Sequence, residues 1–460
     1  METLVILSQY YLQCLSHGSY LIGDETSGQA VVVDPRRDVS QYLDDARDQG
    51  LQIIGVINTH FHADFLAGHL ELAEATGAWI GYGQPAEAAY EIRTLSHGEH
   101  ISLGEVDLEI LETPGHTWES ISVLVRKHAD DDVPYAVLTG DTLFIGDVGR
   151  PDLAVVVGGS VDELARAQYH SVHHVLMGLP DEVRVYPAHG AGSACGKNLS
   201  SDLDSTIGAQ RAMNLSVQPM TEDEFVERIT TGQPAAPEYF AIDAVLNRQN
   251  RATLSIDDTI VPWSTTEVAH AIAGGVKILD TRTPDEFAAG HLAGAINVGI
   301  EGRFAETAGM VVHHDDEILL VPAPGRAQEA GLRLKRIGYD HVVGYVKDVD
   351  ATHHTLADQV VSTQRLSAVQ VQHATTECRT TILDVRNPGE LDNGVIGGSL
   401  HIPLAELGRR HTEVPADTPV IVYCASGWRS SVGASLLRTH GHTDVTDLDG
   451  GYHAYAEATA

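Results

Sequence analysis

Only four cysteines occur in 460 residues, Cys14, Cys195, Cys378 and Cys424, and no two form a CxxC pair. Thiols so few and so far apart argue against a disulfide framework and fit a reducing cytoplasm. Long apolar runs are missing too: no stretch approaches the roughly 20 apolar residues of a membrane span. The N-terminus lacks the basic segment and unbroken apolar core of a signal peptide, because Ser8, Gln9 and Gln13 interrupt it. Positive charge is scarce. Lys and Arg total 29 against 64 Asp and Glu, few of the basic residues are Lys, and the formal net charge is −35. Acid spread along the whole chain disfavours nucleic acid and anionic membrane as partners. It reads as a solvated acidic surface, of the kind that keeps its water in a salt-rich (halophilic) cytoplasm. The composition is otherwise globular, with 43% hydrophobic and 20% charged residues. At about 150 residues per domain, the length predicts roughly three domains.

From Met1 to about Ala191, short β-rich runs such as Ala30–Val33 and Ile53–Ile57 alternate with helical stretches. Gly192 to Asn250 reads as mostly helical, with a Pro-rich break at Gln233–Pro237. The polar segment 251–261 reads as a linker. An internal repeat follows. Ile278-Leu279-Asp280-Thr281-Arg282 with Pro284-Asp285-Glu286-Phe287 is matched by Ile382-Leu383-Asp384-Val385-Arg386 with Pro388-Gly389-Glu390-Leu391. In each copy a later apolar run leads into a loop and a helix, which predicts two small α/β domains at 262–355 and 364–460.

Four strand ends in residues 1–250 carry residues suited to a cation. They are His60-Phe61-His62-Ala63-Asp64 after Ile57, Pro114-Gly115-His116 after Leu111, Gly140-Asp141 after Leu138, and Ala188-His189-Gly190 after Tyr186. A lone HxH is weak evidence, but in α/β sheets such ends are where sites assemble. In this order, THxHAD…PGHT…TGD…AHG, the chain resembles the metallo-β-lactamase-fold family. The resemblance implies an αββα sandwich with metal at one edge. Hydrolytic members such as glyoxalase II carry a second His after the Asp of the first motif, and here that position is Phe65. Phenylalanine does not ligate, which argues against a full two-metal site. One metal held by two His and one carboxylate is the arrangement of non-haem Fe(II) oxygenases.

The persulfide dioxygenase branch of that family implies one Fe(II) per chain on His60, His116 and Asp141, with zinc as the alternative metal. His62, Asp64 and His189 would then orient the ligands or a bound water, or act as extra ligands. Gly149-Arg150-Pro151-Asp152 also resembles that branch, and Arg150 is either a salt-bridge partner or a cation beside an anionic substrate. Cys195, in Gly192-Ser193-Ala194-Cys195-Gly196-Lys197, is similar to a segment of dioxygenase–rhodanese fusions. There it would hold a persulfide near the metal; the other reading is a small buried apolar residue. Cys14 and Cys378 read as structural.

In the second repeat, the strand Val420–Tyr423 runs into Cys424-Ala425-Ser426-Gly427-Trp428-Arg429-Ser430, with a helix expected near Ser431. Backbone N–H groups around the sulfur and the helix N-terminus favour a thiolate, which makes Cys424 the candidate nucleophile. Arg429 is the candidate cation for an anionic donor such as thiosulfate or sulfite. The CxxGxRS loop resembles the rhodanese active site. In the first repeat the corresponding loop is Pro322-Ala323-Pro324-Gly325-Arg326, without a Cys, and Pro322 lacks an N–H donor. That copy reads as an inactive rhodanese, a spacer or a dimer surface, with Arg326 retained.

These expectations combine into a cytoplasmic enzyme of α/β fold. It would oxidise a thiol persulfide with O₂ to sulfite and thiol and pass sulfane sulfur through Cys424. Fusing both sites on one chain raises the effective concentration of a shared intermediate, and the rhodanese surfaces are compatible with a homo-oligomer. The alternatives are a zinc-dependent thioesterase of the glyoxalase II type and a non-enzymatic sulfur carrier.

Overall fold

The computed structural model describes residues 5–153, 160–255, 258–376 and 380–459. Cys378 and residues 256 and 257 of the expected linker lie outside the described residues. The chain divides into two compact units. Residues up to Gln233 together with Phe240–Asp258 form the first, and Pro234–Tyr239 with residues from Thr259 onward form the second.

The first unit holds two six-stranded sheets. One orders its strands Val5–Leu12, His17–Asp24, Gln29–Val33, Gln52–Ile57, Trp79–Gly83 and Arg93–Leu95. The other runs Ser205–Thr206, Arg184–Pro187, Ala136–Gly140, Ile121–Arg126, Asp107–Glu112 and His100–Ser102. Side chains alternate across a strand. Val31 and Val33 therefore point into the core between the sheets, with Leu108, Ile110, Val123 and Leu138. Ala30 and Val32 point the other way, under Tyr42 and Ala46 of the helix Ser40–Asp48. On the far side, Val137 and Val185 pack with Ala165 and Phe225 of the helices Val161–His170 and Glu222–Thr230. The run Ala30–Val33 is apolar throughout because both faces of its sheet are covered. Each fully buried Val or Ile contributes about 1.5–3 kcal/mol. The result is the αββα sandwich.

The second unit contains two five-stranded parallel sheets of one topology. The first orders Pro262–Trp263, Val342–Val346, Ile318–Val321, Lys277–Asp280 and Ile296–Asn297. The second orders Arg365–Leu366, Val445–Leu448, Val420–Tyr423, Thr381–Asp384 and Leu400–His401. Each repeat buries one Asp–Arg fork at the end of the strand next to its central one, Lys277–Asp280 and Thr381–Asp384. Arg282 Nη2 lies 2.6 Å from Asp280 and 2.9 Å from the Gly290 carbonyl. Arg386 Nη2 lies 2.6 Å from Asp384 and 2.9 Å from the Gly394 carbonyl. No helix among the described residues is long and apolar enough to cross a membrane.

Candidate metal centre and sulfur-transfer loop

His60, His116 and Asp141 leave three different strands and converge. Their ligand atoms lie within 4.8 Å of one another, and all three residues are buried. His116 Nδ1 is 2.8 Å from the Arg150 carbonyl. A carbonyl only accepts, so Nδ1 carries the proton and the Nε2 lone pair faces Asp141 Oδ2 at 3.5 Å. His60 Nε2 faces the same oxygen at 3.9 Å. Among the described residues, Asp141 Oδ2 is buried without a hydrogen-bond partner. A buried carboxylate oxygen between two imidazole nitrogens is costly unless something positive fills the gap, so these residues fit a divalent cation.

Two glycines allow this approach. Gly140 precedes Asp141 with φ +52°, and a Cβ there would stand 2.5 Å from Thr59 Oγ1. A Cβ on Gly149 would fall 1.9 Å from the Asp141 carbonyl oxygen.

The other predicted residues occupy distinct places. His189 bridges two carboxylates, with Nδ1 2.8 Å from Asp141 Oδ1 and Nε2 2.8 Å from Asp64 Oδ2. Burial opposes its charge, but Asp141 and then Asp64 prevail and hold the imidazole pKa well above the usual histidine range. Burial likewise opposes ionisation of Asp141, and His189, His60 and His116 overcome it, keeping the carboxyl well below its ordinary value. His60 goes the other way: burial first, then neighbouring His62, depresses its pKa and keeps the ring neutral. His62 turns to Asp34, with Nε2 3.0 Å from Oδ1. Phe65 is fully buried, its ring 4.1 Å from that of His17 and 4.4 Å from that of His62, centroid to centroid.

Arg150 is 2% exposed. Its guanidinium pairs with Asp152 at 2.6 and 2.7 Å and reaches the Ala194 carbonyl at 3.1 Å, while its own carbonyl orients His116. Cys195 is also 2% exposed, and its sulfur joins Asp64 and His189 in a second group of ligand-type atoms within 4.8 Å. Burial, then Asp141 and Asp64, pushes its thiol pKa well up.

Asp34 was not singled out by sequence. It accepts from Thr59 N at 2.7 Å and Thr59 Oγ1 at 2.9 Å, besides its contact with His62. Thr59 Oγ1 in turn lies 3.0 Å from His60 Nδ1. The signal was the acid of Asp34-Pro35 at the end of a strand that pairs in parallel with the strand leading to His60.

In the second unit, Cys424 ends the strand Val420–Tyr423 and is 1% exposed. The Gly427 N–H points at its sulfur from 3.2 Å. The helix starts at Trp428, three residues before the Ser431 expected from sequence. Gly427, with φ +90°, turns the chain sharply enough for the helix to begin at once. Arg429 forms a fork with Glu390 at 2.6 and 2.7 Å. Burial works against its charge, but Glu390 and then Cys424 raise its pKa. In the first repeat the equivalent strand, Ile318–Val321, ends at Pro322, and Arg326 pairs with Glu329 and Glu301. Among the described residues, Cys14, Cys195 and Cys424 form no disulfide.

The metallo-beta-lactamase superfamily model matches residues 13–189, and the rhodanese-like domain model matches 264–350 and 367–458. A hydroxyacylglutathione hydrolase of Polaromonas sp. is 36% identical over 174 residues, covering 37% of this chain and 61% of that protein. The mitochondrial persulfide dioxygenase ETHE1 of Bos taurus is 31% identical over 191 residues, covering 40% of this chain and 68% of the relative. The chain thus spans 61% and 68% of the length of these two relatives. A metallo-beta-lactamase crystal structure from Staphylococcus aureus is similar with TM-score 0.67 and 31% identity, covering 74% of this chain and 98% of that one. With a sandwich of that type ahead of two repeats of the second, the chain belongs to the metallo-β-lactamase superfamily and carries two rhodanese-like domains.

Proposed function

We propose that this protein is a persulfide dioxygenase with a coupled sulfurtransferase, acting in the cytoplasm on small sulfur compounds. The net reaction is RSSH + O₂ + H₂O → RSH + SO₃²⁻ + 2 H⁺. His60, His116 and Asp141 would hold one Fe(II), which supplies the redox chemistry that brings persulfide and O₂ together. The observation that carries this reading is the unpartnered Asp141 Oδ2 facing two imidazole nitrogens, with Phe65 at the position where a further histidine would serve a second ion. Around that set, the chain's own groups fix the ligands. The Arg150 carbonyl and Thr59 hydroxyl set the two imidazole rings. His189 grips Asp141 Oδ1 and leaves Oδ2 free, and Asp64 holds His189 from behind. Oriented ligands of this kind bind metal tighter and position reactants better.

In the sulfur-transfer step, the Cys424 thiolate attacks the outer sulfur of RS–SH. The S–S bond breaks, RS⁻ departs with the electron pair and takes a proton from water, and Cys424 carries the persulfide. That sulfur then passes to an acceptor such as sulfite, giving thiosulfate.

The test is metal content and O₂ uptake with glutathione persulfide, on protein purified anaerobically. One iron per chain and uptake lost in His116→Ala support the reading. Iron-loaded protein that consumes no O₂ with any persulfide overturns it. A second reading, a two-zinc thioesterase, draws on the neighbouring group Asp64, His189 and Cys195. Two zinc ions per chain and hydrolysis of a glutathione thioester would favour it. Both nitrogens of His189 are engaged by carboxylates, which weighs against a second ion there.

A further inference from the structure

We propose that Asn247 is a positioning residue for the metal centre: its carboxamide fixes the turn that carries Asp64, and through Asp64 and His189 it sets the Asp141 carboxylate. The proposal rests on the reading of His60, His116 and Asp141 as metal ligands and extends their support to a segment of chain beyond the strands of the sandwich.

Between the strand Gln52–Ile57 and the helix His69–Thr76, residues 58–66 lie in neither helix nor strand. The buried backbone groups of such a stretch need partners from elsewhere, and Asn247 serves three of them. Its Nδ2 stands 2.8 Å from the His62 carbonyl and 2.8 Å from the Phe65 carbonyl, and its Oδ1 accepts from the Ala67 N–H at 2.9 Å. Carbonyls only accept and an N–H only donates, so the amide fits in one orientation and uses both its donors and its acceptor. Asn247 is fully buried and its own backbone is tied down. Its N–H donates to the Asp243 carbonyl at 2.9 Å, and its carbonyl accepts from the Tyr90 hydroxyl at 2.7 Å.

One nitrogen holding the carbonyls of His62 and Phe65 pins the turn through Ala63 and Asp64. Asp64 Oδ2 then meets His189 Nε2 at 2.8 Å, and His189 Nδ1 meets Asp141 Oδ1 at 2.8 Å. Every member of that series is buried. The segment presenting Asn247 is itself anchored to the first unit. Arg251 reaches the Ala67 carbonyl and forks onto Glu71 at 2.7 and 3.1 Å, and Arg37 pairs with Glu71 at 3.1 Å. Arg248 lies over the Phe61 ring, 4.0 Å from its centroid. Residues 247–251 thus grip the loop at Phe61, His62, Phe65 and Ala67. Asp64 is the one acid between residues 58 and 66. A small displacement of its turn moves the imidazole that holds Asp141 Oδ1, and with it the direction in which Oδ2 points.

The experiment uses the full-length protein under anaerobic conditions. Fe(II) affinity is read by competition against a chromophoric chelator. Co(II) in its place gives a visible ligand-field spectrum, which reports ligand geometry. Asn247→Ala should weaken Fe(II) binding by about 10–100-fold, the range for groups that orient ligands, and shift the Co(II) bands. Asn247→Gln keeps the amide on a longer arm and should recover part of the loss. Arg251→Lys keeps the charge but gives up the fork on Glu71, which loosens the segment with Asn247 still in place. It should weaken Fe(II) binding in the same direction by a smaller factor, and it carries the test if Asn247→Ala does not fold. A folded Asn247→Ala protein with a lowered melting temperature but wild-type Fe(II) affinity and Co(II) spectrum would show a residue of the fold alone and overturn the proposal. If only Arg251→Lys folds, wild-type values for both readouts overturn it equally. Metal binding that survives His116→Ala removes the underlying reading of the ligand set, and this inference falls with it.

Discussion

Asp34→Asn probes how His60 is prepared for metal. Asp34 Oδ2 takes the single proton of the Thr59 hydroxyl at 2.9 Å, so Thr59 Oγ1 accepts from His60 Nδ1 at 3.0 Å. With its proton on Nδ1, the ring offers the Nε2 lone pair toward Asp141. In the asparagine variant, Thr59 N and His62 keep the amide oxygen at the Oδ1 position. The amide NH₂ then occupies the Oδ2 position and donates to Thr59 Oγ1. The hydroxyl is free to donate to His60 Nδ1, which moves the ring's proton to Nε2, where a metal needs the lone pair. Restoring the productive tautomer costs about one net hydrogen bond, ~1.4 kcal/mol, or about tenfold in metal affinity. Weaker contacts of a neutral amide to Thr59 N and His62 carry the effect toward the upper end of the roughly 10–100-fold range for groups that orient ligands. Competition against a chromophoric chelator, run anaerobically with Fe(II) and separately with Zn(II), reads it directly. Thr59→Val, which removes the relay without reversing it, should fall between wild type and Asp34→Asn. An asparagine variant that folds and binds metal as wild type does would refute the relay.

Cys424→Ser should take up no sulfur mass from thiosulfate while its metal content and O₂ uptake stay at wild-type level, read by intact mass spectrometry and an oxygen electrode. Phe65→His should move zinc stoichiometry from one toward two per chain, at a cost in melting temperature because an imidazole replaces a fully buried ring; elemental analysis of zinc-loaded protein checks it. Burial pushes the His291 imidazole down to about 4, against the pull of its hydrogen bond to the Phe287 carbonyl. Below the ordinary value of 6.5 the unfolded chain takes up a proton that the fold refuses, so this residue's stabilisation declines as pH falls toward 4. Between pH 7 and 5 the loss is about 2 kcal/mol. Urea midpoints of the second unit's transition should flatten over that interval in His291→Gln, and an unchanged slope would count against the buried neutral ring.

His60, His116 and Asp141, which the structure brings together as candidate ligands, each stand just past an apolar strand, and residue type with strand end is a local pattern. The two rhodanese-like folds were legible for the same reason, since Asp280-Thr281-Arg282 and Asp384-Val385-Arg386 repeat. Asp34 was not. It lies 25 residues before Thr59 in sequence and meets it only because Gln29–Val33 and Gln52–Ile57 pair in parallel. Arg150 was noticed for its charge, whereas the structure uses its backbone carbonyl on His116 and ties its guanidinium to Asp152. Main-chain roles of that kind leave no trace in residue type.

The twin Asp–Arg forks have a further consequence. They sit at the same strand end in both repeats with matching distances, although the neighbouring strand leads to a cysteine in one repeat and to a proline in the other. What braces the scaffold is thus physically separate from what reacts. A duplicated copy can shed its chemistry and keep its shape, and a cysteine returned to position 322 would stand on an intact brace in a loop where Pro324, in place of Ser426, still removes one N–H.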